Sequence, residues 1–448
     1  MAECLEIPGE KKVWHLRRHR ILGKGSFGCA TLYEDADNPD SFVVVKDVNT
    51  QIMKKDEEMK ALEMEVKILR NSCGHPNIVQ FLDHYHDGDF MVYIIMEFCP
   101  KGDLGQLIET HKFKKTYESE SVVASFMIQA LVALNFLHVD QRTLHRDIKP
   151  QNIFLHSDNC IRIGDFGVST ILGHVGDTAK VACGSPFYMA PELCEERAYD
   201  GKADIWSLGV TLYELMTHNR PFSSTTAAVL MRAIVSGEFQ PIPEGGAYSK
   251  QLIELVHSFL QKPVITRPTL RRALRSTYVQ NHLSCVPISC LRSKHYKDIF
   301  GEEVIQKAIK AQEASRENAA WALGSGKNSL NSGGMAKTSS SGSFKGGSTE
   351  LTMDEWLNEG MDSMDSLIGQ KLLKPAHGNA GNKQTGTLPH KSSMSNKSPS
   401  SSSNFLSGVG LRSGTGPAAA PKSFELNKTG NDAGDDDYED DFESDGEE

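Results

Sequence analysis

The sequence predicts an α+β domain followed by a long disordered tail. Strand patterns with glycine and polar turns run from 14 to 48, and apolar residues take up a helical period from 56 onward. Apolar residues are also concentrated before about residue 283 of the 448 in the chain. One globular unit with a tail is therefore a better description than two domains.

Composition divides the chain into four segments. Residues 1–13 form an N-terminal extension, 14–283 form the globular domain, and 284–323 form a linker with a short helix. Residues 324–448 are rich in Ser, Gly, Asn and Lys and poor in aromatic residues, which predicts a disordered low-complexity tail.

The net charge of −10 comes from the C-terminal end. Residues 431–448 hold 11 of the 58 acidic residues and no Lys or Arg, which leaves 47 acidic residues against 48 basic ones. An acidic end repels nucleic acid and anionic lipid, so the sequence predicts no partner of either kind. Its simplest interpretation is a solvated tail that keeps the protein soluble.

Cysteine usage and hydropathy predict a cytoplasmic protein. The nine cysteines include no Cys-x-x-Cys pair, which fits neither a disulfide framework nor a zinc ribbon. The N-terminal sequence has no apolar signal core, and no run of 18 apolar residues occurs. We therefore expect neither secretion nor a membrane-spanning segment.

One segment of the tail has the pattern of a helix, over 352–372. Thr352 and Glu355 match a capping box, and apolar residues recur at helical spacing: Leu357, Met361, Met364, Ile368 and Leu372. Acidic residues cover the rest of its surface, so the favoured partner is an apolar groove with a basic rim. The alternatives are docking on the chain's own domain and no docking at all.

A glycine-rich turn lies between the first two strands of the 14–48 pattern. It reads GKGSFG from Gly23 to Gly28, and its glycines let a backbone approach a polyphosphate without side-chain clashes. A dinucleotide-binding fold uses the same letters between a strand and a helix. Here the residues after Gly28 have strand composition, which favours a hairpin.

Lys46 closes the β-branched run that follows this hairpin. A lysine at the end of a buried strand is costly unless an anion meets it. ATP phosphates and a helix carboxylate would meet this requirement. The helix predicted over 56–70 carries Glu63 and Glu65, of which Glu65 is the preferred partner of Lys46.

Three further blocks follow in order: HRDIKPQN at 145–152, DFG at 165–167 and APE at 190–192. Together with the glycine turn and Lys46, they resemble the signature set of eukaryotic protein kinases over residues 14–283. The resemblance implies a two-lobed fold, with a small β-rich N-lobe and a larger helical C-lobe. It also implies ATP and Mg²⁺ as cofactors and proteins as substrates.

The resemblance implies a catalytic role for six residues. Asp147 matches the residue that orients the substrate hydroxyl and accepts its proton, and Lys149 matches the one that steadies the γ-phosphate. Asn152 and Asp165 supply the oxygen ligands that Mg²⁺ prefers. Lys46 and Glu65 complete the catalytic set.

The resemblance also places adenine between the lobes, against the backbone of Glu97 and Cys99, with Met96 as the gatekeeper and Asp103 at the ribose. The apolar walls are Leu22, Ala30, Val44 and Phe154. The implied nucleotide-binding residues are Leu22, Gly23, Lys24, Gly25, Ser26, Phe27, Gly28, Cys29, Ala30, Val44, Lys46, Glu97, Cys99, Asp103, Phe154 and Asp165.

Finer features resemble one branch of the family. Lys149 and the GSP at 184–186 resemble serine/threonine kinases, which implies a non-specific serine/threonine protein kinase. GDL at 102–104, DIKPQNIFL at 147–155 and Gly164 are similar to the NIMA-related (NEK) kinases. That family implies cell-cycle roles and a cytoskeletal, centrosomal, ciliary or flagellar location.

The activation segment departs from the NEK pattern, because Val181 stands where a phosphorylatable residue is usual. Thr178 is the substitute candidate, since Arg146 could help to capture a phosphate on this loop. Constitutive activity is the competing interpretation.

The alternative to an active enzyme is a pseudokinase scaffold that binds nucleotide without transferring phosphate, although none of the catalytic residues is replaced.

Overall fold

The computed structural model describes residues 4–325, apart from 26, 54–55, 157–158, 173–178 and 180–183. Ser26, Thr178, Val181 and the tail with its predicted helix at 352–372 lie outside the described residues. The other predicted site residues lie within them.

The first part of the chain forms a six-stranded antiparallel sheet in the order β1-β2-β3-β4-β6-β5. The strands are β1 (Cys4–Pro8), β2 (Val13–Lys24), β3 (Gly28–Asp35), β4 (Phe42–Asn49), β5 (Phe81–His86) and β6 (Met91–Glu97). Val43 and Val45 alternate with outward residues along β4 and pack on one face with Ile7, Leu16 and Ile95. This small cluster forms one of the two cores of the described residues.

The sheet begins before the residue at which the sequence predicted the domain to start. β1 lies in the predicted N-terminal extension and pairs with β2 along its whole length. Buried Asp83 accepts hydrogen bonds from the backbone of Glu10 and Lys11 and from the indole of Trp14, at 3.0 to 3.1 Å. Burial acts to raise the pKa of Asp83, but these donors lower it below its usual value.

Helix α1 (Asp56–Asn71) joins the sheet to the main core. Leu62, Ile68 and Leu69 are buried on its inner face, and the apolar period of the sequence includes Leu62 and Leu69 but not Ile68. This orientation also brings Glu65 inward, where it is almost fully buried.

The second part of the chain is mainly helical. Its helices are α2 (Leu104–Lys114), α3 (Glu120–Asn135), α4 (Pro191–Cys194), α5 (Lys202–Thr217), α6 (Ala227–Ser236), α7 (Lys250–Phe259), α8 (Leu270–Leu274), α9 (Thr277–Asn281), α10 (Ile288–Leu291), α11 (Lys294–Phe300) and α12 (Glu302–Ser325). Two short antiparallel ribbons pair β7 (Thr143–Leu144) with β10 (Thr170–Ile171) and β8 (Ile153–Leu155) with β9 (Ile161–Ile163). This architecture confirms the predicted α+β, two-lobed fold.

Helix α3 runs through the centre of the helical part. Every residue from Val123 to Leu134 is buried, because neighbours surround the helix on all sides. With the π-helical turn after it, the segment Glu120–Asp140 has the length and hydropathy of a membrane span, but 72% of the most apolar window is buried inside the fold. Such burial is typical of a core helix.

The segment predicted as a linker with a short helix, 284–323, contains α10, α11 and most of α12. Val286, Leu291, Tyr296 and Ile305 are fully buried and belong to the main core. Helices as short as α10 and α11 give too few turns for a periodic signal in the sequence.

Candidate active site

Lys46 lies near the C-terminal end of β4, opposite Ala30 on β3 and Ile94 on β6. Its Nζ donates a hydrogen bond of 2.7 Å to Glu65 Oε1 and lies 3.6 Å from Asp165 Oδ1. Burial acts to lower the pKa of Lys46, but the two carboxylates outweigh burial and raise it above its usual value. Lys46 is therefore a cation at neutral pH.

The glycine turn connects β2 to β3 and closes on itself. The N–H of Gly25 donates to the carbonyl of Gly28 at 2.8 Å. A Cβ on Gly28 would lie 1.7 Å from the Asp47 carbonyl oxygen, so only glycine fits there. At Gly23 a Cβ would meet nothing within 4 Å, which leaves open space above the sheet.

Asp147 is the centre of a hydrogen-bonded cluster between β7 and β8. Its Oδ2 accepts from Lys149 Nζ at 2.6 Å and from Asn152 Nδ2 at 3.0 Å. Its Oδ1 accepts from the backbone N–H of Ser185 at 2.8 Å, and Lys149 Nζ donates to the Ser185 hydroxyl at 3.0 Å. The cluster thus ties the loop that carries Asp147 to the segment before α4.

The cluster also sets the ionisation of Asp147. Burial acts to raise the pKa of this carboxyl, but the bonds from Lys149 and Ser185 lower it below its usual value. Asp147 is therefore a carboxylate at neutral pH and can accept a proton. Asn152 Nδ2 donates also to the Asp147 carbonyl at 2.8 Å, so the amide oxygen of Asn152 is the atom suited to a hard cation.

Asp165 follows β9 and adopts a left-handed backbone with φ of 63°, a strained conformation of the kind that clusters at functional sites. Its side chain is 48% exposed. The preceding Gly164 donates its N–H to the Asn152 carbonyl at 3.0 Å. A Cβ on Gly164 would lie 2.8 Å from Val79 Cγ2 and 3.0 Å from Phe154 Cε2, which explains the glycine before this aspartate.

The predicted adenine-binding segment begins where β6 ends at Glu97. The Glu97 carboxylate accepts from Arg162 Nε at 2.9 Å and from the N–H of Gln80 at 2.8 Å, so both lobes hold this side chain. The Glu97 N–H donates to the Gln80 carbonyl at 3.0 Å. Asp103 caps α2 by accepting from the N–H of Gln106 at 3.0 Å, and burial raises the pKa of Asp103.

The residues predicted as apolar walls come from both lobes. Ala30 and Val44 lie on adjacent strands of the sheet, and Phe154 lies on β8 and forms an isolated bridge with Asp103. Leu22 is 39% exposed at the end of β2. Cys29, beside the glycine turn, donates its thiol to Asp47 Oδ1 at 3.1 Å, and burial raises its pKa. A raised pKa lowers the reactivity of that thiol.

Buried charges support the loop at 145–152 from below. Asp204, on α5, accepts from the N–H groups of His145 and Arg146 at 2.9 and 2.8 Å and from His138 Nε2 at 2.8 Å. It therefore fixes the backbone of the loop that carries Asp147.

Glu192, on α4, and Arg267 form a buried ion pair. Two hydrogen bonds of 2.7 and 3.0 Å join their side chains, and both side chains are fully buried. Arg267 also lies over the ring of Trp206, at 5.1 Å.

Sequence reasoning missed two partners in this site. Ser185 bonds both Asp147 and Lys149, although the sequence marked it only as part of a class motif. Arg146, predicted to help capture a loop phosphate, donates from Nη1 to the hydroxyl of Tyr199 at 3.1 Å and from Nη2 to the Ser169 carbonyl at 3.3 Å. Tyr199 lies 53 residues from Arg146, so no sequence pattern connects them.

A two-lobed fold with a strand lysine paired to a helix carboxylate, and with an aspartate cluster below it, defines the class of protein kinases. The protein kinase domain family matches residues 16–279, more than half of the chain. The chain therefore belongs to the protein kinase family, whose members use ATP.

Its relatives confirm the resemblance to NEK kinases. Serine/threonine-protein kinase Nek4 of Mus musculus is 35% identical over 59% of this chain and 32% of its own length. Nek9 of the same species is 37% identical over 58% of this chain and 26% of its own length. A putative serine/threonine-protein kinase A of Trypanosoma brucei brucei is 32% identical over 64% of this chain and 65% of its own length.

The aligned region thus spans about a third or less of the two mammalian relatives and less than two thirds of the trypanosome one.

Proposed function

We propose that this chain is an ATP-dependent serine/threonine protein kinase that transfers the γ-phosphate to Ser or Thr hydroxyls of proteins. The Asp147 cluster carries the proposal. It holds an ionised carboxylate beside a cationic lysine and an amide oxygen, with Asp165 and Lys46 on the neighbouring elements. Phosphoryl transfer requires an aligned hydroxyl, an anchored triphosphate and charge compensation, and this set can supply all three.

In this mechanism Asp147 orients the substrate hydroxyl and takes its proton. The hydroxyl oxygen bonds to the γ-phosphorus while the bond from that phosphorus to the β-phosphate oxygen breaks, so ADP carries away the bonding electrons. Lys149, held beside Asp147, compensates the charge of the transferred group. Lys46, fixed by Glu65, meets the remaining phosphates.

Asn152 and Asp165 are the residues that would hold Mg²⁺. Both offer oxygen ligands, and the chemistry of these donors suits a hard cation. When bound, the ion would neutralise phosphate charge. The open space at Gly23 and the apolar residues of both lobes fit a nucleotide above this site.

The competing function is a pseudokinase scaffold. It requires damage to at least one catalytic residue, whereas Lys46, Asp147, Asn152 and Asp165 are all present, with Lys46 paired to Glu65 and Asp165, and Asn152 bonded to Asp147. The scaffold is therefore the weaker proposal.

Phosphate transfer from radiolabelled ATP to a generic basic protein, by wild type and Asp147→Asn, tests the two functions. We expect the variant to lose about 100-fold or more in rate, because it cannot take the proton, while its affinity for ATP stays close to wild type. A wild-type chain that binds ATP and transfers no phosphate would instead be a scaffold.

We also propose a location and a partner. NEK resemblance favours the cytoskeleton, centrosome or flagellum, and imaging of the tagged full chain tests this.

The tail helix predicted over 352–372 would bind an apolar groove with a basic rim. A bait peptide of residues 350–374, compared with one in which Leu357, Met361 and Ile368 are changed to Asp, tests the helix. Identical recovered partners would contradict it.

A further inference from the structure

Residues 286–309, here called the brace, follow the last residue that the kinase family matches. The brace contains α10, α11 and the first third of α12, and α12 packs on both shorter helices. Just beyond the brace, Gln312 on α12 donates to the carbonyl of Val286, the first brace residue, at 3.3 Å. Tyr296 is its largest fully buried side chain.

Tyr296 reaches from the brace to a loop behind the active site. Its hydroxyl donates to Asn77 Oδ1 at 2.8 Å. Asn77 is itself fully buried, and its Nδ2 donates to Gln129 Oε1 at 2.8 Å and to the Ile161 carbonyl at 3.1 Å. The Tyr296 hydroxyl thus fixes the amide that connects the brace to α3 and β9.

Asn77 lies where two catalytic elements meet. The N–H of Ile163 donates to the Asn77 carbonyl at 2.9 Å, and the N–H of Val79 donates to the Ile163 carbonyl at 3.0 Å. β9 ends at Ile163, two residues before Asp165, and α1, which carries Glu65, ends six residues before Asn77. A shift of the 75–79 loop would therefore move both carboxylates that face Lys46.

A ring contact adds a second connection at the same place. His295, next to Tyr296, lies 4.4 Å from the fully buried His75, measured between ring centroids, and 5.0 Å from Phe136. The brace thus contacts both ends of the segment from His75 to Asn77. These contacts are specific side-chain contacts, beyond the general apolar packing of the helices.

We propose that the brace positions the 75–79 loop, and that Tyr296 is a positioning residue for phosphate transfer, acting through Asn77 and β9 on Asp165. The inference rests on the proposed kinase function for its kinetic consequence. Its structural consequence, an ordered contact between the 75–79 loop and β9, is independent of catalysis.

The test uses the full chain with Tyr296→Phe, which removes one hydroxyl and keeps the buried ring. We expect faster deuterium exchange in peptides that contain the N–H groups of Val79 and Ile163, because Asn77 loses a partner. We also expect KM for ATP, and the Mg²⁺ concentration for half-maximal rate, to rise about 2- to 10-fold, the value of one buried hydrogen bond.

Tyr278→Phe is the matched control. Tyr278 is also buried in the helical lobe, and its hydroxyl donates to Glu120 Oε1 at 2.9 Å. We expect this variant to lose comparable thermal stability without changing exchange at Val79 and Ile163 or the dependence on ATP and Mg²⁺.

Two outcomes are distinguishable. If Tyr296→Phe changes only the melting temperature, as Tyr278→Phe should, the brace contributes stability alone and the proposal is wrong. If the wild-type chain transfers no phosphate, the proposed function fails, while the comparison of deuterium exchange still decides whether Tyr296 orders the loop.

Discussion

The Asp147 cluster and the brace differ in chemistry and in how they are held together. Asp147, Lys149 and Ser185 form a polar cluster joined by hydrogen bonds of 2.6 to 3.0 Å. The brace contributes apolar side chains such as Leu291 and Ile305, which are fully buried in the main core. A substitution in the Asp147 cluster can therefore remove a charge and leave the apolar core intact. A substitution that shortens a buried side chain of the brace leaves a cavity in the core and lowers stability.

The largest expected effect is on the catalytic side of this comparison. Lys46→Met or Asp165→Ala removes charge compensation, which should cost about 3 kcal/mol or more in the transition state, or roughly 100-fold or more in rate. Both variants should remain folded. The unfolding midpoint in urea should change little for Asp165→Ala, because the Asp165 side chain is 48% exposed, whereas Lys46→Met also leaves the buried Glu65 carboxylate without its partner and should lower the midpoint. Lys250→Met, at an exposed lysine, is the control. Near-normal turnover by either purified variant would contradict the mechanism.

The second prediction concerns the brace. Ile305→Ala should lower the free energy of unfolding by about 2 to 5 kcal/mol, because it leaves a cavity in the main core. The neighbouring Val304, which is 38% exposed, gives the matched control Val304→Ala, with a much smaller loss. Denaturant unfolding measures both. Equal effects would mean that the brace is not part of the cooperative core.

The same contrast explains what the sequence predicts and what it does not. Motif order and helical period both favour Glu65 over Glu63 as the partner of Lys46. In the structure, Lys46 donates its hydrogen bond to Glu65. The two-lobed fold followed from the same motifs. The bond from Tyr296 to Asn77 joins a short helix to a loop 219 residues away and involves no charged group, so neither period nor motif could reveal it.

The pH dependence of the free energy of unfolding tests the contact between the brace and the 75–79 loop, because His75 packs against His295. Burial, together with the nearby His295 and Arg162, lowers the pKa of His75 to about 3. Because the pKa in the folded state is depressed, the neutral ring contributes stability that is present above pH 6.5 and is lost as the pH falls from 6.5 toward 3. One proton bound on unfolding corresponds to about 1.4 kcal/mol per pH unit.

His75→Asn should remove that slope while keeping an acceptor for the N–H of Asn77, which donates to His75 Nδ1 at 3.1 Å. Urea unfolding between pH 6.5 and 5 measures the slope. His15→Asn should instead leave the slope below pH 6.5 unchanged, because a hydrogen bond to Asp37 raises the pKa of His15 and its contribution is lost only as the pH rises above 6.5 through that raised pKa. An unchanged slope in His75→Asn would show that His75 is not buried as a neutral ring.

The smallest expected effect concerns Tyr199, which lies outside the motifs and accepts a hydrogen bond from Arg146 of the catalytic loop. Tyr199→Phe removes the hydroxyl that accepts from Arg146, which should lower the activity of the dephosphorylated chain about 2- to 10-fold, the value of one ordinary hydrogen bond, because Arg146 keeps its bonds to backbone carbonyls. If Thr178 phosphorylation provides Arg146 with a stronger partner, phosphorylated Tyr199→Phe should recover wild-type activity, whereas Tyr199→Phe with Thr178→Ala should not. Activity assays after phosphatase treatment, with mass spectrometry of the loop, separate these states. Full activity of dephosphorylated Tyr199→Phe would show that Arg146 needs neither partner, which favours constitutive activity.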